Sequence, residues 1–218
     1  MSTGTREGAG RARSPLRARA VARAALALVD SGGLESLTMR RLATSLEVQL
    51  PTLYRLFDNK RALLDEMAEA LLGDVLERAE LPEGAWPRRA SALARALRAT
   101  LLAQRDGARV VGGTYTVNEP TLALAETLLT ILGEEADLAP EAALWAVTTL
   151  FSYVLGEVLE QQGATGGEVE LLDTLAREGR YPHLAATPMH RFVDFDARFE
   201  FGLRVLMAGL AAEGAGEG

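Results

Sequence analysis

Residues 38–57 read TMRRLATSLEVQLPTLYRLF. Two short apolar-periodic segments flank a tight turn. Thr38 is placed to cap a helix reaching about Leu46, with Leu42, Ala43 and Leu46 turned inward. A turn through residues 47–49 follows. A second helix starts near Leu50, with Pro51 in its first turn, where a missing N–H costs nothing, and ends near Phe57. This is the shape of a helix-turn-helix, whose second helix enters the DNA major groove. It is equally the shape of two ordinary core helices, and spacing alone does not separate the readings.

Charge favours DNA. The chain has 218 residues and a net charge of -7, divided unevenly. Residues 1–62 hold 11 basic and 5 acidic side chains, and the rest holds 12 and 25. A basic head on an acidic body suits a head that meets a polyanion. Within the motif, Thr38, Thr52, Tyr54 and Lys60 can donate to phosphates, and Arg40 and Arg55 can donate to guanine O6 and N7.

Outward from the motif, the chain divides into an arginine-rich arm over 1–15, a helix-turn-helix head over 16–62 and a larger body over 63–218. The arm has two readings, a solvated tail or a minor-groove insertion by Arg6, Arg11, Arg13, Arg17 and Arg19. An apolar stripe from Leu16 to Ser31, closed by Gly32 and Gly33, predicts the first helix. A longer one is expected from about Lys60 to Arg78, capped by Asp58 or Asn59. Further helices are expected over 86–105, 120–133, 140–162 and 190–210, with a short one over 168–178 and a frayed end at 213–218. No strand-like alternation occurs, so the fold class is all-α.

Composition removes several functions. The chain has no cysteine and two histidines, His183 and His190, which excludes disulfides, thiolate chemistry and a histidine-rich metal cluster. No run of about 18 apolar residues and no secretory signal is seen, so no membrane span is expected and a cytoplasmic location is. No glycine-rich phosphate loop, nucleophile elbow or metal-ligand pair occurs, so neither an enzyme nor a bound cofactor or metal is expected.

The stretch Val21–Leu72 resembles the DNA-binding head of the tetracycline-repressor (TetR) family, most closely in PTLYRLFDNKRALLDEM, residues 51–67. The body segments RDGARV at 105–110, Gly113-Thr114 and LGEVLE at 155–160 are similar to core segments of the same family. The resemblance implies that Thr38, Tyr54 and Lys60 hold phosphates, that Arg40 reads a base, and that Pro51 and Thr52 touch base edges and thymine methyls. Leu50 stands at a contact position where the family's namesake has a glutamine. Arg55 and Leu56 replace an aromatic residue and a histidine, which implies a different base preference. Glu47 stands where a glycine is usual, which implies an altered turn.

The resemblance further implies a homodimer, paired through helices 140–162 and 190–212, that binds a palindromic operator in double-stranded DNA and releases it on binding a small molecule. The apolar character of those two helices around much of their circumference supports pairing independently. Positions that hold magnesium–tetracycline in one member are here Leu76, Leu93, Leu97 and Val111, while Thr114 and Glu160 are retained. Such a wall suits an apolar or polyketide-like effector. Tyr115, Thr127, Trp145 and Ser152 complete the expected pocket, although for any single apolar position core packing is the favoured explanation. An acyl-lipid sensor and an activator are the alternatives.

Overall fold

The computed structural model describes residues 15–114, 116–167, 169–171, 174 and 181–216, and among these the regular structure is helical, without strands. Ten α-helices can be given bounds among the described residues: α1 Pro15–Gly32, α2 Met39–Ser45, α3 Leu50–Tyr54, α4 Lys60–Arg78, α5 Trp86–Ala103, α6 Gly107–Gly112, α7 Glu119–Leu129, α8 Pro140–Gly163, α9 Pro182–Ala185 and α10 Phe195–Gly216. The expected helix over 168–178 falls largely outside the described residues, as does the arm before Pro15.

Helices α1 to α3 form the head. Ala22, Ala25, Leu26 and Val29 recur at three- and four-residue steps and bury one face of α1. Gly33, with φ 79°, turns the chain back so that Leu37 enters the core. The Thr38 hydroxyl accepts from the Arg41 N–H at 3.1 Å and starts α2. Helix α3 ends at Tyr54 rather than near Phe57. The Leu56 and Phe57 N–H groups both bond the Leu53 carbonyl, at 2.9 and 2.8 Å, and this tightening tucks Phe57 into the core. The Asn59 side chain accepts from the Ala62 N–H at 3.0 Å and starts α4.

The turn between α2 and α3 has a left-handed residue, as a glycine would supply, although Glu47 occupies it with φ 54°. A non-glycine in that pose costs roughly 1 kcal/mol. The Val48 N–H, bonded to the Ala43 carbonyl at 3.0 Å, helps hold it.

Helix α4 belongs to both head and body. Leu63 and Met67 join the core near its start and Leu71, Leu72 and Val75 further on. The Arg23 guanidinium of α1 forks onto the buried Asp74 carboxylate of α4, Nη1 at 2.6 Å from Oδ2, and also donates to the Ala70 carbonyl at 3.1 Å. Arg19, counted with the arm from sequence, instead turns to Glu77 of α4 at 3.3 Å. Asp30 of α1 accepts from the Gln104 side chain at 2.6 Å and the Arg105 N–H at 2.9 Å. Asp106 accepts from the Leu34 N–H at 2.8 Å, and Arg109 pairs with Glu35. These bonds stitch the far end of α1 to the corner between α5 and α6.

In the body, α7 widens into a π-type turn over Thr130–Glu135, where a continuous helix to Gly133 was expected. Helix α10 runs to Gly216, into the stretch expected to fray, and Gly214 lies where a side chain would meet the Ala136 carbonyl. Helices α8 and α10 lie together. Tyr153 stacks on Phe199 at 5.6 Å and donates to its carbonyl at 2.7 Å. The pair leaves Leu144, Trp145, Leu159, Phe201 and Val205 exposed. Averaged over 18 residues, α8 is long and apolar enough to cross a membrane, which the search for an unbroken apolar run did not register. One third of that window is buried, with Ala146, Leu150 and Val154 in the core.

Candidate DNA interface and effector cavity

Most of the side chains singled out in the head are open to solvent. Thr38, Arg40, Pro51, Tyr54, Arg55 and Lys60 are exposed, and Thr52 is half-buried. The Thr38 oxygen caps α2 through a lone pair, so its O–H remains able to donate outward. Arg55 donates to the Thr52 hydroxyl oxygen at 3.2 Å, which aligns its guanidinium along α3. Leu50 packs partly against the core, so only part of its side chain is presented. The sequence reading passed over Gln49. It is exposed at the N-cap of α3 and makes no side-chain capping bond, so its amide is available for bidentate bonding to adenine. The signal for it was its place one residue before the second helix.

The body contains a two-chambered cavity between α4, α6, α7 and α8. The first chamber, about 310 Å³, is walled by Val111, Thr114, Thr116, Phe151, Ser152 and Leu155 among others. The second, about 270 Å³, lies between α7 and α8 against Leu124, Ala125, Leu128 and Val147. Leu72, Thr121, Thr148 and Phe151 border both.

Of the expected pocket residues, Val111, Thr114 and Ser152 meet at this cavity. The other described ones line neither chamber. Leu93 and Leu97 are closed into the core, and Leu76 packs half-buried against it. Thr127 bonds its own helix at the Ala123 carbonyl, 2.8 Å away. Trp145 is exposed in a groove between α8 and α10. Glu160 faces Arg198 at 2.5 Å. Tyr115 lies outside the described residues. The sequence reading missed Leu72, Thr116, Thr121, Thr148 and Phe151.

Behind Thr121 sits the buried Glu69 of α4. Its carboxylate accepts from the Thr121 hydroxyl at 2.7 Å, the Thr121 N–H at 3.1 Å and the Asn118 N–H at 3.3 Å. It thereby takes up N–H groups at the start of α7, which would otherwise go unpaired. Glu66, one turn earlier on α4, has its carboxyl pushed above the usual range, first by burial and then by the nearby Glu69 charge. A raised carboxyl pKa means that ionising Glu66 costs the folded state stability, and the penalty is complete above that pKa. Glu66→Gln is therefore expected to raise Tm at pH 7.5. The gain should vanish as the pH falls through the raised value to the ordinary glutamate range. Thermal melts of both proteins between pH 4 and 8 check this, and a pH-independent gain would contradict it.

The family model described as "Bacterial regulatory proteins, tetR family" matches residues 21–67. The one described as "Tetracyclin repressor-like, C-terminal domain" matches residues 79–213, which include α8. Tetracycline repressor protein class G of Vibrio anguillarum is 40% identical over 85% of this chain and 89% of its own. The crystal structure of a possible TetR family transcriptional regulator from Streptomyces coelicolor A3(2) is 42% identical, with a TM-score of 0.80 over 89% of this chain and 98% of that one. The Streptomyces coelicolor TetR family protein ActR, in complex with actinorhodin, is 29% identical, with a TM-score of 0.78 over 90% and 97%. With a helix-turn-helix DNA-binding head joined by one continuous helix to a tetracycline-repressor-like body, the chain belongs to the TetR family of bacterial transcription regulators.

Proposed function

We propose that the chain is a cytoplasmic repressor that binds a palindromic operator as a homodimer and leaves it when a small apolar or polyketide-like molecule fills the cavity. The observation that carries this reading is the course of α4. Its first residue, Lys60, is exposed just after the helix-turn-helix, and Leu72, three turns on, walls both chambers. The exposed apolar sides of α8 and α10 support pairing with a second copy. A homodimer would set its two α3 helices about 34–36 Å apart, in successive major grooves. The effector loosens DNA only by favouring a state with the wrong spacing, and DNA then weakens effector binding by the same factor. An effector with an acyl chain is the second reading, favoured by the apolar second chamber.

The test is fluorescence anisotropy at physiological salt, comparing DNA upstream of the protein's own gene with a scrambled duplex. Binding at about 10⁻⁸ M or tighter, two protomers per site, is the expected result. A folded protein with no preference for any duplex from its own genome would end the repressor reading.

A further inference from the structure

The hydroxyl hydrogens of the four threonines that line the first chamber are already committed, while that of Ser152 is not. Thr114 donates to the Val111 carbonyl at 2.9 Å, and Thr148 to the Trp145 carbonyl at 2.9 Å. Thr121 donates to the Glu69 carboxylate at 2.7 Å. Thr116 stands 3.0 Å from the Thr121 oxygen, and because the hydrogen of Thr121 goes to Glu69, Thr116 is the donor of that pair. A hydroxyl has one hydrogen and two lone pairs. These four threonines therefore offer the cavity lone pairs alone. A ligand that brings more lone pairs, a carboxylate above all, meets these four without compensation and, among the described side chains of the wall, finds a hydroxyl donor only in Ser152. A ligand that brings O–H groups is matched. The second chamber adds only Leu124, Ala125, Leu128 and Val147 to the shared walls, and these have no side-chain polar atom.

We infer that the effector is an uncharged amphiphile whose polar end donates hydrogen bonds through phenol-type or polyol-type hydroxyls, and whose apolar arm lies between α7 and α8. This rests on the reading of the cavity as the effector site. The polar end meets Thr114, Thr116, Thr121 and Thr148. Among the described residues, no histidine, aspartate or glutamate lines either chamber, so the site offers a divalent cation no side-chain ligand of those types there.

The test is calorimetric titration of the full chain with 4-hexylresorcinol, which has two phenolic donors and a six-carbon arm, in EDTA. Its dimethyl ether keeps the ring and the arm, loses both donors and adds two methyl groups, and resorcinol keeps the donors and loses the arm. The expected result is binding of 4-hexylresorcinol, with the ether and resorcinol each at least tenfold weaker. Thr148→Val is expected to weaken the phenol but not the ether. This substitution keeps the side-chain shape and removes only a bond within α8, so the fold should survive it. Ala125→Phe, which fills the second chamber, is expected to weaken 4-hexylresorcinol at least tenfold. An ether that binds as tightly as the phenol would overturn the inference, and so would an absence of heat from 4-hexylresorcinol at about 1 mM. Operator binding by the ligand-free chain is scored separately. If it persists while the titration fails, the ligand class alone is wrong. If it is absent, the repressor reading fails whatever the titration shows.

Discussion

Replacing Leu93 by alanine is expected to destabilise the protein by about 2–5 kcal/mol, the range for a leucine removed from a closed core. Leu93 is 1% exposed and belongs to the cluster that joins α5 to α4 and α8. Truncation leaves a void that rigid helices fill only in part. Leu93→Asp places a carboxylate there with nothing to pair it, and the expected result is an unfolded chain at neutral pH. Urea denaturation measures the first variant and circular dichroism the second. A loss under about 1 kcal/mol for Leu93→Ala, with an altered ligand response, would return Leu93 to the pocket wall.

Arg55→Ala is expected to lower operator affinity by about 1–3 kcal/mol, concentrated at one or two base pairs. The bond from Arg55 to the Thr52 hydroxyl holds the guanidinium in place before DNA arrives, so less side-chain entropy is lost on binding. Lys60→Ala provides the contrast. It should weaken all duplexes alike and reduce the salt slope by about one charge. Anisotropy on a set of single-base operator variants separates the two patterns. A uniform loss for Arg55→Ala would assign that side chain to phosphate.

The head was legible because its residues carry local signals. Thr38 and Asn59 cap helices with their own side chains, Gly33 turns with positive φ, and the stripe of α1 repeats at helical steps. Even there, the end of α3 was misjudged, since the demand that Phe57 enter the core comes from tertiary packing. The cavity was far less legible. Leu72 and Leu93 are both leucines on helices with an apolar period, and only the arrangement of α6, α7 and α8 leaves a gap beside one and closes over the other. Trp145 was misplaced for a related reason. Helix α8 has two apolar sides, and the period does not say which side holds Phe151 against the cavity and which leaves Trp145 in the open. The Glu69–Thr121 contact spans 52 positions and has no sequence signature.

Helix α4 also has a mechanical meaning. From Leu72 back to Lys60 is about 18 Å at 1.5 Å per residue. With Leu72 as fulcrum, a tilt of about a tenth of a radian swings Lys60 through about 2 Å, enough to take a 2.8 Å bond out of range. The lever arm multiplies whatever happens at the fulcrum, so a displacement too small to disturb packing around the cavity becomes a gross misfit at the far end.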